Sequence, residues 1–72
     1  MSELELLFFM KMRGAKMDLD NVDRVLEKIP SDDPSAKGLY RIRAARRERY
    51  NTLYELCQEA RLYSKYEEWA QS

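Results

Sequence analysis

Proline is absent from Ala36 onward, and for more than twenty residues nothing interrupts a helix-forming pattern. Leu39, Ile42, Tyr50, Leu53, Cys57 and Ala60 recur at the spacing that places side chains on one helix face. The pattern predicts one long central helix over roughly 36–61. Everything else in a 72-residue chain has to pack around it.

The flanking stretches are also helical in character. Ser2-Glu3-Leu4-Glu5 has capping-box spacing, with Ser2 as N-cap and Glu5 reaching back. The apolar run that follows predicts a first helix over roughly 3–12, with Gly14 as its natural stop. Leu19, Val22, Val25, Leu26 and Ile29 mark a second helix over roughly 19–29, capped by Asp18 or Asp20 and ended by Pro30. Asp33-Pro34 is an N-cap and N1 pair for the long helix, with Ser35 as the competing cap. Ser64-Lys65-Tyr66-Glu67 repeats the capping-box spacing and predicts a terminal helix over roughly 65–70, held by Tyr66 and Trp69. Continuation of the long helix through Ser64 is the alternative. Two glycines, two prolines and 36% charged residues agree with an all-α fold. The expectation is one small domain, residues 1–72, of three to four helices. Its core is expected to hold Leu7, Phe8, Val22, Leu26, Leu39, Ile42, Leu53 and Cys57.

Composition removes several kinds of function. There is no histidine, so imidazole catalysis and histidine metal sites are excluded. Cys57 is the only cysteine, so no intramolecular disulfide framework exists. Cys57 sits at an apolar position and reads as core. Glu55, Glu59, Glu67 and Glu68 have no nucleophile or base spaced with them, so they read as surface carboxylates rather than an acid–base pair. The expectation is a non-enzyme with no cofactor, no metal and no small-molecule substrate. The amino-terminal stretch lacks the organisation of a signal peptide, and Leu6–Met10 is too short to span a bilayer. A cytoplasmic, reduced and soluble chain without a membrane partner is expected. The run "LLFFM" is more apolar than one amphipathic stripe needs, which makes part of it a candidate interface.

The charge distribution is the oddest feature. Thirteen basic and thirteen acidic side chains cancel, yet Arg41, Arg43, Arg46, Arg47 and Arg49 fall within nine residues. Turning about 100° per residue places Tyr40, Arg43, Arg47, Tyr50, Tyr54 and Arg61 on one side of the long helix. Interleaved arginine and tyrosine suit phosphate contact, because guanidinium offers a bidentate fork and tyrosine a hydroxyl on a flat ring. Arg46 and Arg49 fall in the sector of Ile42, Leu53 and Ala60, where a charge must reach past the core, pair with an acid or face a partner. The plainer alternative is a solvated helix face with local ion pairs. Asp18, Asp20, Asp23 and Glu27 cluster on the second predicted helix, with Asp32 and Asp33 following. Capping accounts for Asp18 and Asp20; it accounts less well for Asp23 and Glu27. One face could dock a basic protein while another meets nucleic acid.

These residues carry a resemblance. "FFMKMRGAK" followed by "LDNVDRVLEKI" is similar to the opening of the Hha/YmoA family of small bacterial expression modulators. Met10, Arg13, Asp20, Val22, Asp23, Arg24, Val25, Leu26, Glu27 and Lys28 fit that pattern. The Ser31–Ser35 loop, Leu39-Tyr40 at the start of a long helix and Trp69 near the carboxyl end also fit. The chain departs from the family where Ala44-Ala45 is followed by Arg46-Arg47-Glu48-Arg49, with Glu48 the nearest counterpart of a family acid. It also has Ala15 or a neighbour in place of a family cysteine.

The resemblance implies a modulator of gene expression that binds an H-NS-type nucleoid protein through acids and adds basic surface for the DNA backbone, enhancing silencing. Carried over, Asp20, Asp23, Glu27 and Glu48 become partner-contact candidates. Arg43, Arg46, Arg47 and Arg49 become DNA-backbone candidates, reaching DNA through the complex. The implied location is the bacterial nucleoid. Two other readings compete: a phage- or plasmid-encoded helical inhibitor of a host protein, and a structural oligomer joined through "LLFFM".

Overall fold

The computed structural model describes residues 1–72 and contains three helices and no strand: α1 Glu3–Lys28, α2 Pro34–Glu59 and α3 Tyr63–Gln71. Helices α1 and α2 have 26 residues each, about 39 Å of helix at 1.5 Å per residue. They form an antiparallel hairpin, and α3 folds back over its open end. The molecule measures 46 × 23 × 17 Å. No helix is long and apolar enough to cross a membrane.

The hairpin is built on one repeating frame. On α1 the buried and half-buried positions include Glu5, Phe8, Met12, Ala15, Leu19, Val22 and Leu26. On α2 they include Ala36, Leu39, Arg43, Arg46, Tyr50, Leu53 and Cys57. Both sets advance in alternating steps of three and four, the spacing of a two-helix seam. The Arg43–Asp23 ion pair marks the register. The same offset sets Cys57 level with Phe9, and these two share the main apolar cluster with Met12 and Tyr66.

This frame corrects the expected core. Phe9 is fully buried and Leu7 is exposed, while Phe8 only flanks the cluster. Ile42 is exposed too, because Leu39, Tyr50, Leu53 and Cys57 define a seam that passes through Arg43 and Arg46 instead. Val22 and Cys57 are buried; Leu26, Leu39 and Leu53 are half-buried.

The expected break at Gly14 does not occur, and the helices expected over 3–12 and 19–29 are one. Ending a helix at Gly14 would take Ala15 out of the seam, where it is buried. A helix-interior glycine costs only about 0.5–1 kcal/mol relative to alanine, less than losing half of the paired surface. Asp18 and Asp20 therefore lie in mid-helix and cap nothing. The true caps are Ser2, whose Oγ accepts from Glu5 N at 3.1 Å, and Asp33, whose Oδ1 accepts from Ser35 N at 2.8 Å. Pro34 follows Asp33 at the start of α2. Ser64 is not the cap of α3; Leu62 holds that position without a side-chain bond.

Between α2 and α3 the chain turns by a Schellman motif. Arg61 N donates to Gln58 O and Leu62 N to Cys57 O, at 3.0 and 2.9 Å. Leu62 then packs on the cluster containing Cys57. The motif needs one residue with left-handed backbone, and Arg61 supplies it at φ 58°. Glycine adopts that conformation without the Cβ conflict, against a larger entropy loss on folding. Arg61→Gly should therefore stabilise the fold by about 0.5–1 kcal/mol, read from urea denaturation followed by circular dichroism. A loss of stability would mean that the Arg61 side chain does more than close the turn.

Candidate functional site

The residues singled out by charge converge on one flank of the hairpin. Asp20, Asp23 and Glu27 follow one another at i, i+3 and i+7 on one side of α1, and Tyr40, Arg43, Arg47, Tyr50 and Tyr54 share one side of α2. The bond from Arg43 Nε to Asp23 Oδ1 joins those two sides. The acids and the arginine–tyrosine row thus belong to one surface, where two separate faces were expected. Tyr50 stands between them. Burial chiefly, then the neighbouring Tyr66 and Tyr54 phenols and Asp20, push its phenol above the ordinary value, so it stays a protonated donor.

Arg43 and Arg46 occupy seam positions, and each sends its charged head to an edge while its stem covers apolar surface. They leave by opposite edges. Arg43 meets Asp23; Arg46 Nη1 donates to the Asp18 carbonyl at 2.9 Å. Both are half-buried. Of the four DNA-backbone candidates, these two are engaged within the chain, while Arg47 and Arg49 are exposed and form no ion pair within it. Arg47 emerges on the tyrosine side, Arg49 on the opposite side and Arg41 on the back of α2. The unengaged arginines therefore do not form a stripe.

The acidic candidates divide in a similar way. Asp23 is held by Arg43, while Asp20 and Glu27 have no ion pair. Glu48 does not join them. It is exposed on the outer face of α2, beside Arg47, Asn51 and Glu55 in a shallow polar groove.

A second cluster closes the open end of the hairpin. Phe9 lies 5.6 Å from the Tyr66 ring and 5.8 Å from the Trp69 ring, centre to centre. The Arg13 guanidinium rests 4.4 Å above Trp69, a cation–π contact. Tyr54 meets Tyr63 edge-on at 5.1 Å. Tyr66 and Trp69 do anchor the last helix, as their spacing suggested. Cys57 is fully buried here, and burial raises its thiol above the ordinary value, which leaves it a poor nucleophile. No group of three or more acidic or thiol side chains is placed to hold a metal ion.

The Glu5–Lys65 pair, at 2.8 Å, ties the first turn of α1 to α3. Capping-box spacing turns Glu5 back onto its own helix and gives Lys65 no role, so this pair is not legible from it. The Lys65 ammonium, with help from Ser2, holds the Glu5 carboxyl below the usual glutamate range. The contact therefore contributes above the unfolded carboxyl pKa and is lost as pH falls through the lowered folded value. In an NMR titration the Glu5 carboxyl should have its midpoint below that of a free glutamate, and Lys65→Met should bring it back up. An ordinary midpoint in the unmodified chain would mean that α3 is not held there by this pair.

No protein-family model matches this chain, and neither curated proteins nor solved structures yield a match.

Proposed function

We propose that this chain is a non-catalytic helical interaction module, a modulator of gene expression that docks on a basic, H-NS-type protein partner through Asp20 and Glu27. One observation carries the reading: these two acids lie two turns apart on one face of α1, Asp20 within the helix and Glu27 in its last turn, where an acid gains nothing from the helix dipole, and neither has a capping role or an ion pair inside the chain. Asp23 lies between them and is shared with Arg43.

DNA contact is the subordinate part of the proposal. Arg47 and Arg49 are free to meet phosphate, but they point apart and the net charge is zero, so DNA binding by the chain alone is weak. The Arg43–Asp23 pair offers a link between the two activities. A partner arginine that takes over Asp23 releases Arg43 toward a phosphate. The exchange is cheap, because an ion pair this exposed contributes at most about 1 kcal/mol.

Calorimetry against an H-NS-type dimerisation domain tests the docking step. Asp20→Lys with Glu27→Lys should lower affinity by at least about 30-fold, the lower end of the effect of removing one buried interfacial charge. Helicity should be kept, since neither residue belongs to the buried core. Unchanged affinity, or no binding by the unmodified chain, would refute the reading.

A further inference from the structure

One face of α1 is apolar without a partner. Leu7, Met10, Gly14 and Met17 succeed each other in steps of three, four and three, on the side away from both α2 and α3. Leu7, Met10 and Met17 are 54%, 50% and 57% exposed, and Leu4 beside them 80%. The patch is confined to the amino-terminal half of α1. Beyond it the same face carries Asn21, Arg24 and Lys28, with Val25 as its one exposed apolar residue.

We propose that this face is a homodimer interface, in which α1 packs parallel to α1 of a second copy. The area argues for a second copy. A compact monomer of 8.6 kDa has an accessible surface of about 4,700 Å², whereas this chain exposes 5657 Å². The excess of roughly 1,000 Å² is close to the ~800 Å² that each subunit contributes to a standard interface. The shape agrees, with a radius of gyration of 14.7 Å against about 11 Å for a compact chain of this length.

Gly14 fits such a contact. It sits inside a helix, its backbone is not left-handed, and a Cβ there would meet nothing within 4 Å. As at Gly38 in α2, packing within the monomer does not require a glycine at this point, and it costs some stability. A second helix crossing the face does have a use for it, since two backbones approach most closely where no side chain intervenes.

Charge sets the direction. With the stripe at the seam positions, Leu6 and Arg13 flank it on one side, and Leu4, Lys11 and Asp18 on the other. A parallel pair sets Arg13 of each copy, whose guanidinium also lies on Trp69 of its own chain, opposite Asp18 of the other, and neither Arg13 nor the Asp18 carboxylate has an ion pair within the chain. An antiparallel pair would instead stack Lys11 on Lys11 and Arg13 on Arg13. The arrangement places two α1 helices at the centre with an α2 on either outer side. Asp20 and Glu27 continue the Leu6–Arg13 row past Met17, beyond the apolar stripe, so the proposal does not rest on the docking function.

Sedimentation equilibrium over a range of concentrations gives the first test. The full chain should approach twice its monomer mass. Met10→Arg should raise the dimer dissociation constant by roughly 100-fold or more, since it sets two unpaired charges at the centre. Ile42→Arg, on another exposed apolar position, should leave it unchanged. Met17→Cys should form a disulfide across the dimer under mild oxidation, because the two copies of position 17 meet only in the parallel pair; antiparallel packing separates them by about 15 Å along the axis. A monomer at every concentration, or a dimer indifferent to Met10→Arg, overturns the interface. A dimer of Met17→Cys that does not cross-link overturns its direction.

Discussion

The pairing of α1 with α2 along a single three–four seam is the constraint on which the rest of this small protein depends. Only seven residues are buried, so no large core stands behind the seam. Apolar packing is concentrated toward the open end, where Phe9, Met12, Cys57 and Tyr66 meet. Farther along, the seam passes through Arg43 and Arg46, with the small residues Ala15 and Val22 buried on the facing helix. Each arginine covers the apolar strip with its methylene stem and is anchored at the edge, one on a carboxylate and one on a backbone carbonyl. A guanidinium can serve both ends of this arrangement because its head is charged, planar and rich in donors. The seam thereby gains specificity as well as area: a one-residue slip would leave both heads without partners.

Helical content was legible in the sequence because it rests on local chemistry. Asp33-Pro34 starts α2 and Ser2 starts α1 as their side chains require, and the aromatic pair Tyr66 and Trp69 anchors α3. The phase of the long helix was harder to read. Ile42 and Arg43 are neighbours, and an apolar residue is the natural candidate for the buried position. Only the frame running from Ala36 through Leu39, Tyr50, Leu53 and Cys57 shows that the arginine is inside. Gly14 misled for a similar reason. Glycine stops a helix when its own backbone turns left-handed, and here tertiary pairing on both sides of Gly14 holds α1 continuous. The one left-handed residue is Arg61, which no residue-type preference would have selected.

The same seam changes the meaning of the charge pattern. An arginine block in a neutral chain looks like a surface awaiting phosphate, with an acidic cluster awaiting a second partner. Antiparallel folding brings part of the block onto part of the cluster, so some of the cancellation occurs within the molecule, between Arg43 and Asp23. What stays free is smaller and differently placed: Asp20 and Glu27 on one flank, Arg41, Arg47 and Arg49 pointing apart. The free acids form a coherent surface and the free arginines do not. That contrast is why protein docking, rather than nucleic-acid binding, leads the functional proposal. A half-exposed ion pair at the junction of the two sets is also weak enough to be exchanged for a partner's charge.

A double-mutant cycle on Arg43 and Asp23 tests the central claim most directly, since those two side chains meet only in this register of the hairpin. Arg43→Met, Asp23→Asn and the combined variant would be unfolded in urea at low and at high salt. The account predicts a favourable coupling of about 0.5–1 kcal/mol that shrinks as salt is raised, as befits a half-exposed pair. A coupling of zero at both salt concentrations, with the two single effects simply additive, would mean that these side chains do not meet and that the helices are paired in another register.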